Sequence, residues 1–348
     1  MGSIAKYAAV NTKIKALEGK FLSSDQYNKI IETKDYSEAV NYLKEETPYY
    51  DVLKEYDIED IHRIQLEHIL KENYIKNFYK LSHYFSGNYK KLFSILFIRF
   101  EVEDLKNIFR AKYLGKSKEE LESLITYRSP LSNVDYDKLI EAKDVYEVGE
   151  YLKDTKYYKY LGHIIEGIKE EGLFRIETAL DFIHFNSIKK FINNLNNEDK
   201  ELMNKFLGVY NDLLNIQWIF RGKKYYTMSP EELLNYTVYN GYKLNINSLK
   251  ELCYSKDMEE FSKLVSKTSY SEVFEDGKKD EYLIQRDIHN YLKKMYLQYQ
   301  KKNENNISVA IAYLELALLE ITDIVSIIES KRYSISSEET LKYVTTIN

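Results

Sequence analysis

Residues 101–112 read EVEDLKNIFRAK, and the same pattern returns twice, as DLLNIQWIFRGK at 212–223 and, more eroded, as EITDIVSIIESK at 320–331. Ile98, Val102, Leu105 and Phe109 fall at i, i+4, i+7 and i+11, one stripe of an α-helix. The same offsets give Val209, Leu213, Ile216 and Phe220 in the second copy, and Ala317, Ile321, Ile324 and Ile328 in the third. An acid flanks each stripe: Glu101, Asp212 and Glu320. Asp104, Asn215 or Asp323 stands three residues later. Nine residues after the acid come Arg110 and Arg221, and in the third copy Glu329. These slots lie 111 and 108 residues apart in a chain of 348, so one unit is used three times, with expected bounds 1–125, 126–235 and 236–348.

Each unit also has a recognisable front. TKDYSEAVNYLKEETPYY, AKDVYEVGEYLKDTKYY and SKDMEEFSKLVSKTSY align on a Lys-Asp break, continue with apolar residues at helical spacing, and end in a tyrosine read as Tyr50, Tyr158 and Tyr270. Residues 4–22 read as a helix ending at a Ser-Ser-Asp cap. Stretches 57–84, 164–195 and 282–299 read as longer helices between front and back. After each back helix stands an S-x-x-E capping box: Ser117 with Glu120, Ser229 with Glu232, and Ser336 with Glu339. Pro230 takes the first helical position of the second.

Bulk composition points the same way. Only 12 glycines and 3 prolines interrupt a chain that is 30% charged and 44% apolar, as long amphipathic helices require. The 34 tyrosines suit half-buried seams, where the ring packs and the hydroxyl reaches water. The fold class is therefore all-α. A net charge of −5, with lysine far more common than arginine, gives no case for nucleic acid. The single cysteine, Cys253, excludes an internal disulfide and a paired-cysteine metal site, which fits a reducing compartment. No N-terminal segment reads as a secretion signal. The apolar patch 92–100, interrupted by Ser94 and Arg99, is too short to span a bilayer.

Catalytic motifs are missing. There is no P-loop, no dinucleotide fingerprint, no nucleophile elbow and no H-E-x-x-H. Glu59 with His62 and Asp181 with His184 have the spacing of helix-borne di-metal ligands, but acid-rich helices produce such pairs often, and these occupy different slots of their units. His68 and Trp218 read as packing residues. Arg110 and Arg221 lie about 100° from the apolar stripe, either solvated near a helix C-terminus or presented to a partner. Lys278, Lys279, Arg286, Lys293, Lys294, Lys301 and Lys302, with Asp276, Asp280, Glu281 and Glu304 among them, read as a solvated helix face with weak contact to acidic lipid as the alternative.

YAAVNTKIKALEGKFLS at 7–23, the front segment ending LKEETPYY, and EVEDLKNIFRAK resemble the C subunits of the prokaryotic V-type (A-type) ATPases, whose eukaryotic counterpart is the d subunit. The likeness covers the whole chain, with Glu329 departing from the arginine slot. It implies three similar helical units around a pseudo-three-fold axis, forming a funnel with a central cavity. It also implies a non-catalytic rotor socket, monomeric within the complex and peripheral on the cytoplasmic face of the membrane. That socket needs no cofactor and binds the central shaft subunits on one side and the proteolipid ring on the other. Glu101, Arg110, Asp212, Arg221 and Glu320 are the expected partner contacts. The alternatives are a helical-repeat adaptor for an unrelated helical partner, although its period near 110 residues exceeds the ~20–50 of common repeats, and a di-metal oxygenase.

Overall fold

The computed structural model describes residues 3–58, 61–126, 128, 133–226, 228–273, 281–302 and 305–345. Among them every regular element is helical and there is no strand, as the scarcity of glycine and proline predicts. The chain forms two compact units, one made of Met1–Arg63 with Asn196–Asn348, the other of Ile64–Leu195.

The unit Ile64–Leu195 is built around the first repeat helix, Ile98–Tyr113. Its stripe is interior: Val102, Leu105 and Phe109 are buried and Ile98 packs against their cluster. Leu139, Val148, Leu152 and Leu161 from the following front segment and Ile176 and Leu180 from helix Phe174–Ile192 complete this core. A second packing centre is aromatic. Phe78, on helix Arg63–Ser82, meets Phe93 edge-on at 5.4 Å and Phe97 at 4.7 Å between ring centroids. The two long helices expected over 57–84 and 164–195 are shorter, Arg63–Ser82 and Phe174–Ile192, and Gly172, at φ 72°, ends a short helix just before the second.

In the other unit the second repeat forms the C-terminal half of the 29-residue helix Asn197–Tyr225, and the third lies within the 25-residue helix Ser308–Arg332. Val209, Leu213, Ile216 and Phe220 are buried, as are Ala317, Ile321, Ile324 and Ile328. All three copies therefore turn the stripe inward. Trp218 is buried as a packing residue and His68 is half-buried.

The front segments fold alike because the same side chains cap them. Asp35, Asp144 and Asp257 are the N-caps of helices Tyr36–Glu45, Val145–Tyr151 and Met258–Val265, each accepting from a backbone N–H of the first turn. Glu38, Glu147 and Glu260 reach back to the N–H of Lys34, Lys143 and Lys256 at 2.7–2.8 Å. Of the three S-x-x-E signals, Ser117–Glu120 and Ser229–Glu232 form reciprocal boxes. Ser336 caps Glu339 N–H, whereas the Glu339 carboxylate turns to Lys342 and Tyr343.

Candidate functional site: three tyrosine–carboxylate joints

Glu101, Asp212 and Glu320 were expected to face a partner; all three are buried, and each accepts a hydrogen bond from a tyrosine hydroxyl. Tyr157 donates to Glu101. Tyr270 donates to Asp212 at 2.7 Å, and Tyr49 donates to Glu320 at 2.8 Å. The physical reason for the reassignment is position on the helix. The acid borders the apolar stripe that carries the core, so it is desolvated with that stripe and must find donors inside the protein.

The tyrosines are held from behind. The backbone N–H of Tyr49, Tyr157 and Tyr270 donates to the hydroxyl of Thr47, Thr155 and Thr268 at 3.1–3.2 Å. Each threonine hydroxyl in turn donates to a carbonyl of the preceding helix, that of Leu43, Leu152 or Val265. The signal in the sequence is therefore Thr-x-Tyr, and it replaces Tyr50 and Tyr158 with their neighbours. Tyr49 and Tyr157 are the equivalents of Tyr270, while Tyr50 is 48% exposed.

Two further contacts recur beside each joint. Asp104, Asn215 and Asp323 accept the backbone N–H of Thr126, Val238 and Thr345, which stand 22, 23 and 22 residues further on. Near the helix ends, Lys112 donates to the Ile140 carbonyl, Lys223 to that of Ser255 and Lys331 to that of Ile31. Burial lowers the pKa of all three lysines. The tyrosine and the carbonyl that meet the acid and the lysine of each repeat helix belong to the front segment that follows it in sequence. For the third helix that segment is the N-terminal one.

The surroundings of the three carboxylates differ. Glu101 has the Lys156 ammonium at 3.2 Å. Asp212 takes backbone N–H groups from Tyr242, Lys243 and Leu244 on the oxygen that also faces Tyr270. Burial nevertheless raises its pKa, against those donors. Glu320 accepts Leu22 N–H at 2.9 Å as well as Tyr49, and burial pushes it up to about 7. A hydrogen bond to a charged group contributes about 1.5–3 kcal/mol, and losing the donor leaves a buried acceptor unsatisfied.

Arg110 and Arg221 are both half-buried. Arg110 pairs with Glu177 on helix Phe174–Ile192 at 2.5 Å. In the third copy the polarity is reversed: Glu329 pairs with Arg63 at 3.1 Å. The departure from the repeat is thus an exchange of sign between repeat helix and partner.

Of the four residues in the metal reading, Asp181 is engaged elsewhere. Lys106 donates to Asp181 at 2.6 Å, occupying that carboxylate with a cation. Burial opposes the charge on Lys106, but Asp181 and Glu103 outweigh it and raise its pKa. Glu59 lies outside the described residues, among which no group of three or more His, Cys, Asp or Glu could hold a metal ion. Of the basic region, Lys278, Lys279, Asp276, Asp280 and Glu304 lie outside the described residues. Arg286 pairs with Asp287, Lys294 with Glu272, and Lys293 donates to Thr345, one step from Asp323. No helix among the described residues is long and apolar enough to cross a membrane.

Residues 10–343 match the ATP synthase (C/AC39) subunit family. The C subunit of the A-type ATP synthase of Methanocaldococcus jannaschii is 29% identical over 348 aligned residues, covering 97% of this chain and 85% of that protein. The proteins of the same description from Methanobrevibacter smithii and Methanosphaera stadtmanae are 26% and 24% identical. Each covers 94% of this chain, and the alignments take in 85% and 84% of those proteins. The match takes in all three joints from Tyr49 to Glu320, and the chain belongs to the ATP synthase (C/AC39) subunit family.

Proposed function

We propose that this chain is the non-catalytic socket of an A-type ATP synthase rotor, linking the central shaft subunits to the membrane proteolipid ring. The observation that carries this reading is the family match over residues 10–343 together with the joint built three times from equivalent residues. Three modules that repeat one set of contacts, each between a closing helix and the next opening segment, suit a pseudo-three-fold funnel with a hollow for a rod-like partner. The absence of nucleotide-binding motifs fits a part that transmits torque and leaves ATP chemistry to other subunits.

With the acids buried, the contact surface has to come from other residues. Arg110 and Arg221 remain candidates. The exposed aromatics that end the repeat helices join them: Tyr113 at 42%, Tyr225 at 48% and Tyr333 at 64% exposure. Aromatic and arginine anchors are the residue types that dominate binding energy at interfaces. A coupling that holds through a turn calls for nanomolar affinity, about 12 kcal/mol, and an interface of roughly 1,200–2,000 Å².

The test is co-purification. A tagged chain expressed with the shaft subunits and proteolipid ring of its own complex should bring down both, at the cytoplasmic face of the membrane. A chain recovered with neither would end the socket reading.

A further inference from the structure

We infer that Tyr49, Tyr157 and Tyr270 are positioning residues for torque: their bonds to Glu320, Glu101 and Asp212 keep successive repeats from slipping past one another under load. The inference rests on the socket reading. Three observations carry it. First, each joint connects the closing helix of one repeat to the opening segment of the next, so a load passed between repeats crosses it together with the lysine–carbonyl bond beside it. Apolar packing at such a seam is non-directional and allows sliding. A hydrogen bond into a buried carboxylate is directional and leaves an unsatisfied group when broken.

Second, each tyrosine is fixed at both ends, by its hydroxyl on the acid and by its backbone N–H on the threonine two residues before it. A strut held at one end would swing. Third, the joint survives in the copy whose repeat helix departs from the other two. The third repeat helix has lost the arginine and reversed its ion pair, yet it retains Glu320, Asp323 and Lys331, each in the contact its counterparts make. A contact serving stability alone could be replaced by apolar packing in one copy, as buried polar pairs commonly can.

The experiment uses the assembled complex reconstituted in vesicles and reads ions transported per ATP hydrolysed. Tyr49→Phe, Tyr157→Phe and Tyr270→Phe each remove one hydroxyl and leave the ring in place. Tyr50→Phe, at an exposed neighbour, is the control. The expected result is assembled variants that hydrolyse ATP at the wild-type rate but transport at least two-fold fewer ions per ATP, with Tyr50→Phe unchanged. A wild-type ratio in every assembled variant overturns the inference while leaving the socket reading intact. So does failure of all three variants to assemble, which would make the joints structural only. If the wild-type chain is itself not part of the complex, it is the socket reading that fails.

Discussion

The hydroxyl of Tyr49 lies 2.8 Å from Glu320 Oε1, although 271 residues separate the two along the chain. Both groups are buried. Tyr49→Phe deletes the donor and keeps the ring, so the lost free energy is that of one bond to a carboxylate plus the partly unsatisfied acceptor. The expected loss is about 1–3 kcal/mol in urea unfolding. Tyr50→Phe should change stability by less than ~0.5 kcal/mol, and equal effects at the two positions would contradict the assignment.

Glu320 makes stability depend on pH. Burial raises its pKa from 4.5 to about 7 in the folded chain, against the opposing bonds from Tyr49 and Leu22. The folded state therefore holds the proton more tightly than the unfolded one. This contribution is fully present below about pH 4.5, declines as pH rises, and is gone above about pH 7. Asp323 shifts in the same direction, again through burial. The difference in unfolding free energy between wild type and Glu320→Gln should change by up to ~3 kcal/mol across that window. A constant difference from pH 4.5 to 7 would rule this out.

Gly241 sits against Asp212. A Cβ there would lie 1.7 Å from Asp212 Oδ1 and 2.8 Å from the Leu244 carbonyl. The three N–H groups that follow it wrap the same carboxylate, so the loop cannot retreat without undoing them. Gly241→Ala should cost about 3 kcal/mol or more. A variant melting within 1 °C of wild type would show that the loop moves freely.

Ser334 follows the third repeat helix at φ 54°, in the slot where the first repeat has Gly115 at φ 66°. Both ends close alike, Lys116 N–H on the Ala111 carbonyl and Ile335 N–H on that of Ser330, each at 2.9 Å. A left-handed conformation disfavours any side chain. Ser334→Gly should therefore stabilise by roughly 0.5–1 kcal/mol, after allowance for the freer unfolded chain. Thermal unfolding reads it directly, and a lower melting temperature would argue against it.

The reversed ion pair permits a charge-swap cycle. Glu329→Arg places two cations together at Arg63 and should destabilise by up to ~1 kcal/mol, since both partners are about 30% exposed. Adding Arg63→Glu recreates the polarity of Arg110 with Glu177 and should recover most of the loss. Purely additive effects in the double variant would show that the pair contributes nothing.

Much of the architecture is legible in the chain. The apolar stripe, the Lys-Asp caps and the serine signals each recur with one period, and each depends only on neighbours a turn or two away. The partners of Glu101, Asp212 and Glu320 are not legible, because periodicity tells which face of a helix is buried but not which segment covers it. Tyr50 and Tyr158 stand in for Tyr49 and Tyr157 in the sequence reading for the same reason: in Tyr-Tyr pairs either ring fits the spacing. The threonine two residues before the correct one carries the discriminating information, since its hydroxyl fixes the backbone there. Reading the acids as partner contacts follows from their charge alone. A carboxylate beside a core stripe is more economically satisfied within the protein.

The opening front segment, with Tyr49, docks on a helix made at the far end of the chain. On the ribosome, at ~5–20 residues per second, Tyr49 emerges roughly 15–50 seconds before Glu320 exists. For that interval the apolar side of the first helices has no native cover. Newborn chains of this protein should thus lean on a holding chaperone early in synthesis, and the seam between first and last segments is the final one to be sewn.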